Sequence, residues 1–188
     1  MEKPRRAAIE FPFRGAERSH YPLTRLENLA ADGVTIPFAD GHTRQLPRLT
    51  RGPFRNGTYA ASHLKAAQRL AHRPVKQAVI SASALSLLYP QNGLSGYSRE
   101  AFLEDLIQDA DNDIRECLDF EVACAQIDFT EGRLALKLDP SGGLLNVVIE
   151  LNNRVLDNFS DAERKKIGVH TCPGGDHDSN AQRRCGLR

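Results

Sequence analysis

From about residue 58 onward the sequence changes its hydrophobic period again and again, and this alternation limits the fold more than any other feature. TYAASHLKAAQRLAH sets Leu64, Ala67 and Leu70 on roughly one face among good helix formers, so a helix is predicted there, ended by Pro74. VKQAVISAS then supplies a short β-branched run suited to a buried strand, and ALSLLYPQNGLSGYS reads as a loop. Ser98 is placed to cap REAFLEDLIQDADNDIRECLDF, where Phe102, Leu106, Ile107, Ile114 and Leu118 recur at helical spacing and the opposite positions are acidic. EVACAQIDFT predicts a second strand, GGLLNVVIELNNRVLDNF a helix after Gly142 and Gly143, and KKIGVH a third strand.

Strands alternating with helices of this length predict successive βαβ units, which close right-handedly into a parallel sheet with both faces covered. The fold class is therefore α/β, and a barrel and a doubly wound sheet fit the pattern equally. In either one the reactive groups collect at the carboxyl ends of the strands, here ISASAL, QIDFTE and VHTCPGGD.

Residues 1–57 differ. They are rich in Pro, Gly and Arg and hold no helical period, so a loop-rich segment is expected, with one hairpin in DGVTIPFADGHTRQLPRL turning at Ala39, Asp40 and Gly41. Pro37 argues for an edge position there. A length of 188 residues suits one domain. A net charge of +1, from 25 basic and 24 acidic residues, provides no field for holding nucleic acid or an anionic membrane surface. No apolar run approaches the ~18 residues of a membrane span, and MEKPRRAAIEFPFR lacks the apolar core of a secretory signal. A cytoplasmic address is the expectation. The scattered cysteines Cys117, Cys124, Cys172 and Cys185 do not make a disulfide framework and are expected to be reduced.

Three groups carry candidate chemistry. His170 and Cys172 stand at i and i+2 of an extended segment, so their side chains share a face and suit zinc, which takes imidazole nitrogen at about 2.0 Å and thiolate sulfur at about 2.3 Å. A loop histidine beside a buried free cysteine has the same spacing, and spacing alone does not choose. Asp128 interrupts the apolar strand AQIDF, where a carboxylate needs either a ligand such as an ammonium group or an ion pair with Arg133 or Lys137; Glu131 has the same two readings. Ser81 and Ser83 are placed to hydrogen-bond a ligand or to cap a turn or helix. The run from Gly174 to Asp178 reads as a turn without calcium-loop spacing.

VKQAVISASALSLLYP, AQIDFTEGRLALKLDPSGGLLN and KKIGVHTCPGGDHDS together resemble the cobalamin-independent methionine synthase family, whose catalytic part is a TIM barrel related to uroporphyrinogen decarboxylase. The resemblance spans residues 58–179 and implies a partial (β/α)8 TIM barrel there. It implies an enzyme that transfers a methyl group from 5-methyltetrahydrofolate, in its polyglutamate form, to the thiol of homocysteine in methionine biosynthesis. Zinc is the implied cofactor, with His170 and Cys172 as metal ligands. Asp128 matches the aspartate that holds the homocysteine amino group, and Ser81 joins it as a substrate-binding candidate.

The family completes its zinc shell with a glutamate and a second cysteine from later strands, for which this sequence has no matching positions. A full barrel has eight βα units and typically about 250 residues, so an incomplete member is implied, ending in an atypical tail at residues 180–188. Cys185, with His177 or Asp178, is a substitute ligand set to consider. The implied partners are a small-molecule thiol and a folate methyl donor, without nucleic acid or membrane, and exposed strand edges imply self-association. The competing readings are an inactive fragment or interaction module, and a related zinc methyltransferase with another thiol acceptor.

Overall fold

The computed structural model describes residues 21–23, 25–37, 41 and 43–171. Among the described residues ahead of the helices there are a 3-10 turn at Tyr21–Leu23 and two small antiparallel ladders. Strand β1 (Leu29–Ala30) pairs with β4 (Arg48–Leu49), and β2 (Thr35–Pro37) with β3 (Thr43–Gln45). The β2–β3 pair is the hairpin read in the sequence, with Pro37 in a two-stranded ladder where neither strand needs a second neighbour. Gly33 is a steric requirement, since a Cβ there would lie 2.5 Å from the carbonyl oxygens of Leu46 and Pro47.

Helix α1 (Ala61–Gln68) leads to β5 (Lys76–Ile80), which is followed at once by the short helix α2 (Ala82–Leu85) and a 3-10 turn at Ser86–Leu88. The loop expected from residue 84 therefore begins as helix. The Ser81 hydroxyl accepts from the Ala84 amide at 3.1 Å and starts a turn that the apolar run ALSLL disguised. Next come the long helix α3 (Arg99–Asp119), β6 (Cys124–Asp128), α4 (Glu131–Leu138), α5 (Gly143–Leu156), α6 (Asp161–Arg164) and β7 (Ile167–His170). Helix α4 was not expected from the sequence. Helix α6 carries a capping box, with Ser160 and Glu163 bonding each other's backbone amides.

Strands β5, β6 and β7 make a three-stranded parallel sheet in that order, so the molecule is α/β with the predicted strand direction. Val79, Ala125 and Ile127 are buried on the face that joins the core with Phe102, Leu106 and Ile114 of α3. The other face carries Lys76, Ala78, Ile80, Gln126 and Asp128, all only half-buried. Two covered faces were expected; among the described residues one is packed and the other partly open.

An aromatic cluster anchors the early segment to α3: Phe54 meets Phe102 edge-on at 5.7 Å between ring centroids, and Tyr89 lies 5.2 Å from Phe102. Removing the Phe102 ring would cost about 3–5 kcal/mol.

The acidic positions of α3, opposite its apolar stripe in the sequence, include Asp109, Asp111 and Asp113, all buried. Asp105, Asp109 and Asp113 recur every fourth residue and face the chain before α1. Asp105 pairs with Arg55 at 2.5 Å and accepts from the Tyr97 hydroxyl at 2.5 Å. Asp109 accepts from the Asn56 amide at 2.7 Å and the Tyr59 hydroxyl at 2.9 Å. Asp113 accepts from the Ala60 amide at 2.7 Å and the Tyr21 hydroxyl. Burial pushes the Asp109 carboxyl up despite its two donors, and it pushes the Tyr59 and Tyr97 phenols up to about 12, helped by their hydrogen bonds to aspartate. Among the described residues no helix is long and apolar enough to cross a membrane.

Candidate functional site

The parallel register puts Ile80, Asp128 and His170 in one row at the carboxyl ends of the three strands. Residues paired across parallel strands project to the same side, so Asp128 and His170 meet although 42 positions separate them. His170 Nδ1 lies 2.6 Å from Asp128 Oδ1, and the two side chains are 44% and 40% exposed. With a carboxylate as acceptor, Nδ1 carries a proton, and in the neutral ring Nε2 is then the nitrogen with the lone pair. That is the usual arrangement of a metal-binding or proton-accepting imidazole oriented by a carboxylate. His170 is a partner of Asp128 in the structure, one that the sequence reading, with Arg133 and Lys137 in view, did not name.

Beside this pair lies a second, buried cluster. Ser81 Oγ donates to Glu131 Oε1 at 2.6 Å, and Ser83 Oγ donates to the same oxygen. Asn152 Nδ2, from α5, donates to Ser83 Oγ at 2.6 Å, so the Ser83 hydroxyl receives one bond and passes one on. Glu131 is only 7% exposed, and its Oε2 is buried with no hydrogen-bond partner. Burial pushes the Glu131 carboxyl up, the two serine hydroxyls pull it back down, and the charge of Asp128 pushes it up again. Glu131 opens α4 just beyond the end of β6, so its unmatched Oε2 lies close in sequence to Asp128.

Of the residues singled out in the sequence, the structure brings Asp128 and His170 into contact and places Ser81 at the adjoining cluster, where it also caps α2. Cys172, His177, Asp178 and Cys185 lie outside the described residues. Cys117 and Cys124 are free thiols, and burial pushes the Cys117 thiol up, away from reactivity. Sequence reasoning missed Asn152. Its signal was present, because Val148, Leu151 and Val155 form the helix stripe toward the interior and Asn152 sits on that stripe's border.

No protein-family model matches the chain, and no curated protein matches it. Among solved structures it is similar to a B12-independent methionine synthase from Shewanella sp. W3-18-1 in complex with selenomethionine, with a TM-score of 0.57 and 16% sequence identity. The likeness is one of fold. It covers 88% of this chain and 47% of that one, so the chain spans about half the length of the structure it matches.

Among the described residues no group of three or more His, Cys, Asp or Glu side chains is arranged to hold a metal ion. Among the described residues, His170 with Asp128 at its Nδ1 has the chemistry of a single zinc ligand.

Proposed function

We propose that this chain is part of a (β/α)8 barrel of the cobalamin-independent methionine synthase type, and that its strand-end site serves zinc-dependent methyl transfer to a thiol. The observation that carries the reading is the Asp128–His170 contact at the carboxyl edge of neighbouring parallel strands, where such folds collect their chemistry. The fold likeness to a methionine synthase supports it.

In this reading His170 and Cys172 hold zinc with ligands from outside the described residues. Zinc, when bound, stabilises a thiolate near neutral pH, whereas a free thiol with a pKa near about 8.5 stays mostly protonated. Asp128 holds the imidazole in the tautomer that leaves Nε2 exposed. A second role for Asp128, accepting a bond from the ammonium group of homocysteine, uses the same carboxylate. Ser81 acts on substrate through Glu131, which accepts the Ser81 hydroxyl on Oε1 and has a buried, unmatched Oε2. The methyl donor in this reading is 5-methyltetrahydrofolate.

The test is zinc per chain across a size-exclusion peak, followed by methyl transfer to homocysteine and to a second thiol such as coenzyme M. Loss of zinc in both His170→Ala and Cys172→Ala is expected. Equal metal content in wild type and the double variant would sink the metal site, and transfer to coenzyme M alone would replace the acceptor.

A second reading, an inactive fragment or interaction module, is favoured by one observation. Leu138, Val147 and Val169 are 64%, 65% and 57% exposed, an amount of open aliphatic surface that suits association. Measurable methyl transfer, abolished by Cys172→Ser, would exclude it.

A further inference from the structure

The open face of the sheet carries a cation whose charge no described carboxylate meets in an ion pair. Register and side-chain alternation set three rows on that face. Lys76 and Cys124 stand at the amino ends, Ala78, Gln126 and Gly168 in the middle, and Ile80, Asp128 and His170 at the rim. Lys76 Nζ donates to Gln126 Oε1 at 2.6 Å. That bond commits the amide oxygen and one ammonium proton. The remaining ammonium protons and both protons of Gln126 Nε2 have no partner among the described residues.

The ground beside Gln126 is clear of long side chains. Its register partners are Ala78 on β5 and Gly168 on β7. Gly168 cannot be enlarged without moving a neighbour, since a Cβ there would lie 3.0 Å from Cys124 Sγ. Every member of the three rows is half-buried, so a charge placed among them is screened less than one beside a fully exposed lysine.

We propose that Lys76 and Gln126 form an anion subsite on this face, one row beneath the Asp128–His170 rim, which takes the carboxylate of a small aliphatic ligand. An ammonium and an amide N–H group side by side present donors to the two oxygens of one carboxylate. A single lysine balances a monoanion. The Asp128 carboxylate, two residues along β6 and so about 7 Å farther up the strand, opposes a more highly charged group such as a phosphate dianion. Ile80, beside Asp128 in the rim row, supplies apolar surface for the ligand's chain. The subsite needs neither zinc nor a thiol, so it goes beyond the methyl-transfer reading and is tested separately from it.

The experiment is an NMR titration of the zinc-free full chain at neutral pH and constant ionic strength. Butyrate is the probe and butyramide its uncharged counterpart, and the signals followed are the Gln126 side-chain amide and the backbone amides of Ala78 and Gly168. Butyrate is expected to shift these signals along a saturating curve in the millimolar range, and butyramide to leave them in place. Lys76→Met is expected to weaken butyrate binding at least about tenfold, as loss of a charge-assisted hydrogen bond does. Lys137→Met, at an exposed lysine of α4, leaves the curve unchanged. Gln126→Glu gives Lys76 a counterion from the protein itself and is expected to abolish saturation at the Ala78 and Gly168 amides; this variant decides the matter if Lys76→Met does not fold. Shifts that stay linear in butyrate, or that butyramide reproduces, overturn the subsite. So does a wild-type curve in either Lys76→Met or Gln126→Glu, which would make the Lys76–Gln126 bond a structural contact only.

Discussion

Two rows of carboxylates in this molecule are built in opposite ways. On α3, Asp105, Asp109 and Asp113 each meet donors from the chain that packs over them, two donors to every carboxylate. At the strand ends, Glu131 has one oxygen saturated by two serines and the other unmatched, and Asp128 shares its charge with a histidine that is nearly half exposed. The first row uses its acceptors up in holding the fold together. The second keeps bonding capacity in reserve, as expected where a ligand is to complete the set. Acidic residues alone do not mark a site, and one unmatched oxygen alone does not either, since Asp111 Oδ1 on α3 and Asn56 Oδ1 are also buried without a hydrogen-bond partner.

The largest effect that would test this contrast is Asp113→Ala, which strands two buried donors. It is expected to cost about 2–4 kcal/mol in urea unfolding near neutral pH. A loss under about 1 kcal/mol would mean that the row on α3 is not structural.

The pH profile comes next. Because the Asp113 and Glu131 carboxyls are raised in the folded state, that state binds protons the unfolded chain has released, so stability falls as pH rises toward neutrality. The slope is at most about 1.4 kcal/mol per pH unit for each proton, and Asp113→Asn should flatten the limb near pH 7. Asp32, Glu100, Asp139 and Glu163 are lowered by hydrogen bonds to arginine, serine or backbone, so their small contributions are present above the usual carboxylate range and fade in acid.

Glu131→Gln should change stability by less than about 1 kcal/mol, since the amide oxygen can keep the serine bonds, while it alters whatever binds at the strand ends. Equal stability loss in Glu131→Gln and Asp113→Asn, measured side by side, would erase the distinction between the two rows. His170→Ala should leave the unfolding midpoint nearly unchanged while removing metal uptake, because both side chains of the Asp128 pair are well exposed. Smallest of all, Arg48→Ala breaks the exposed pair with Asp32 and should produce no measurable shift in thermal unfolding.

The legible parts of the fold were those with a strong local period. Helix α3, with Ser98 capping it through the Ala101 amide, and strands β5, β6 and β7 fall where the sequence puts them. Helix α4 escaped because EGRLALKL follows a strand without an N-cap side-chain bond, and only its packing against α5 gives its apolar residues a destination. At the site, Asp128 and His170 were visible as chemistry out of place in apolar strands. Asn152 was visible only as a polar residue bordering the apolar stripe of α5, and its partner Ser83 lies 69 positions away.

The sequence by itself determined the alternation of strands and helices, the α/β class and the polar residues at the strand ends, because period, capping and β-branched runs act over a few residues. Only the tertiary structure decided which carboxylates are consumed and which are left open. The acidic side of α3 is buried because the chain before α1 is laid over it, and Asp128 finds His170 only once the parallel register is set. Burial and hydrogen-bond partnership between distant segments are properties of packing, and no local pattern encodes them.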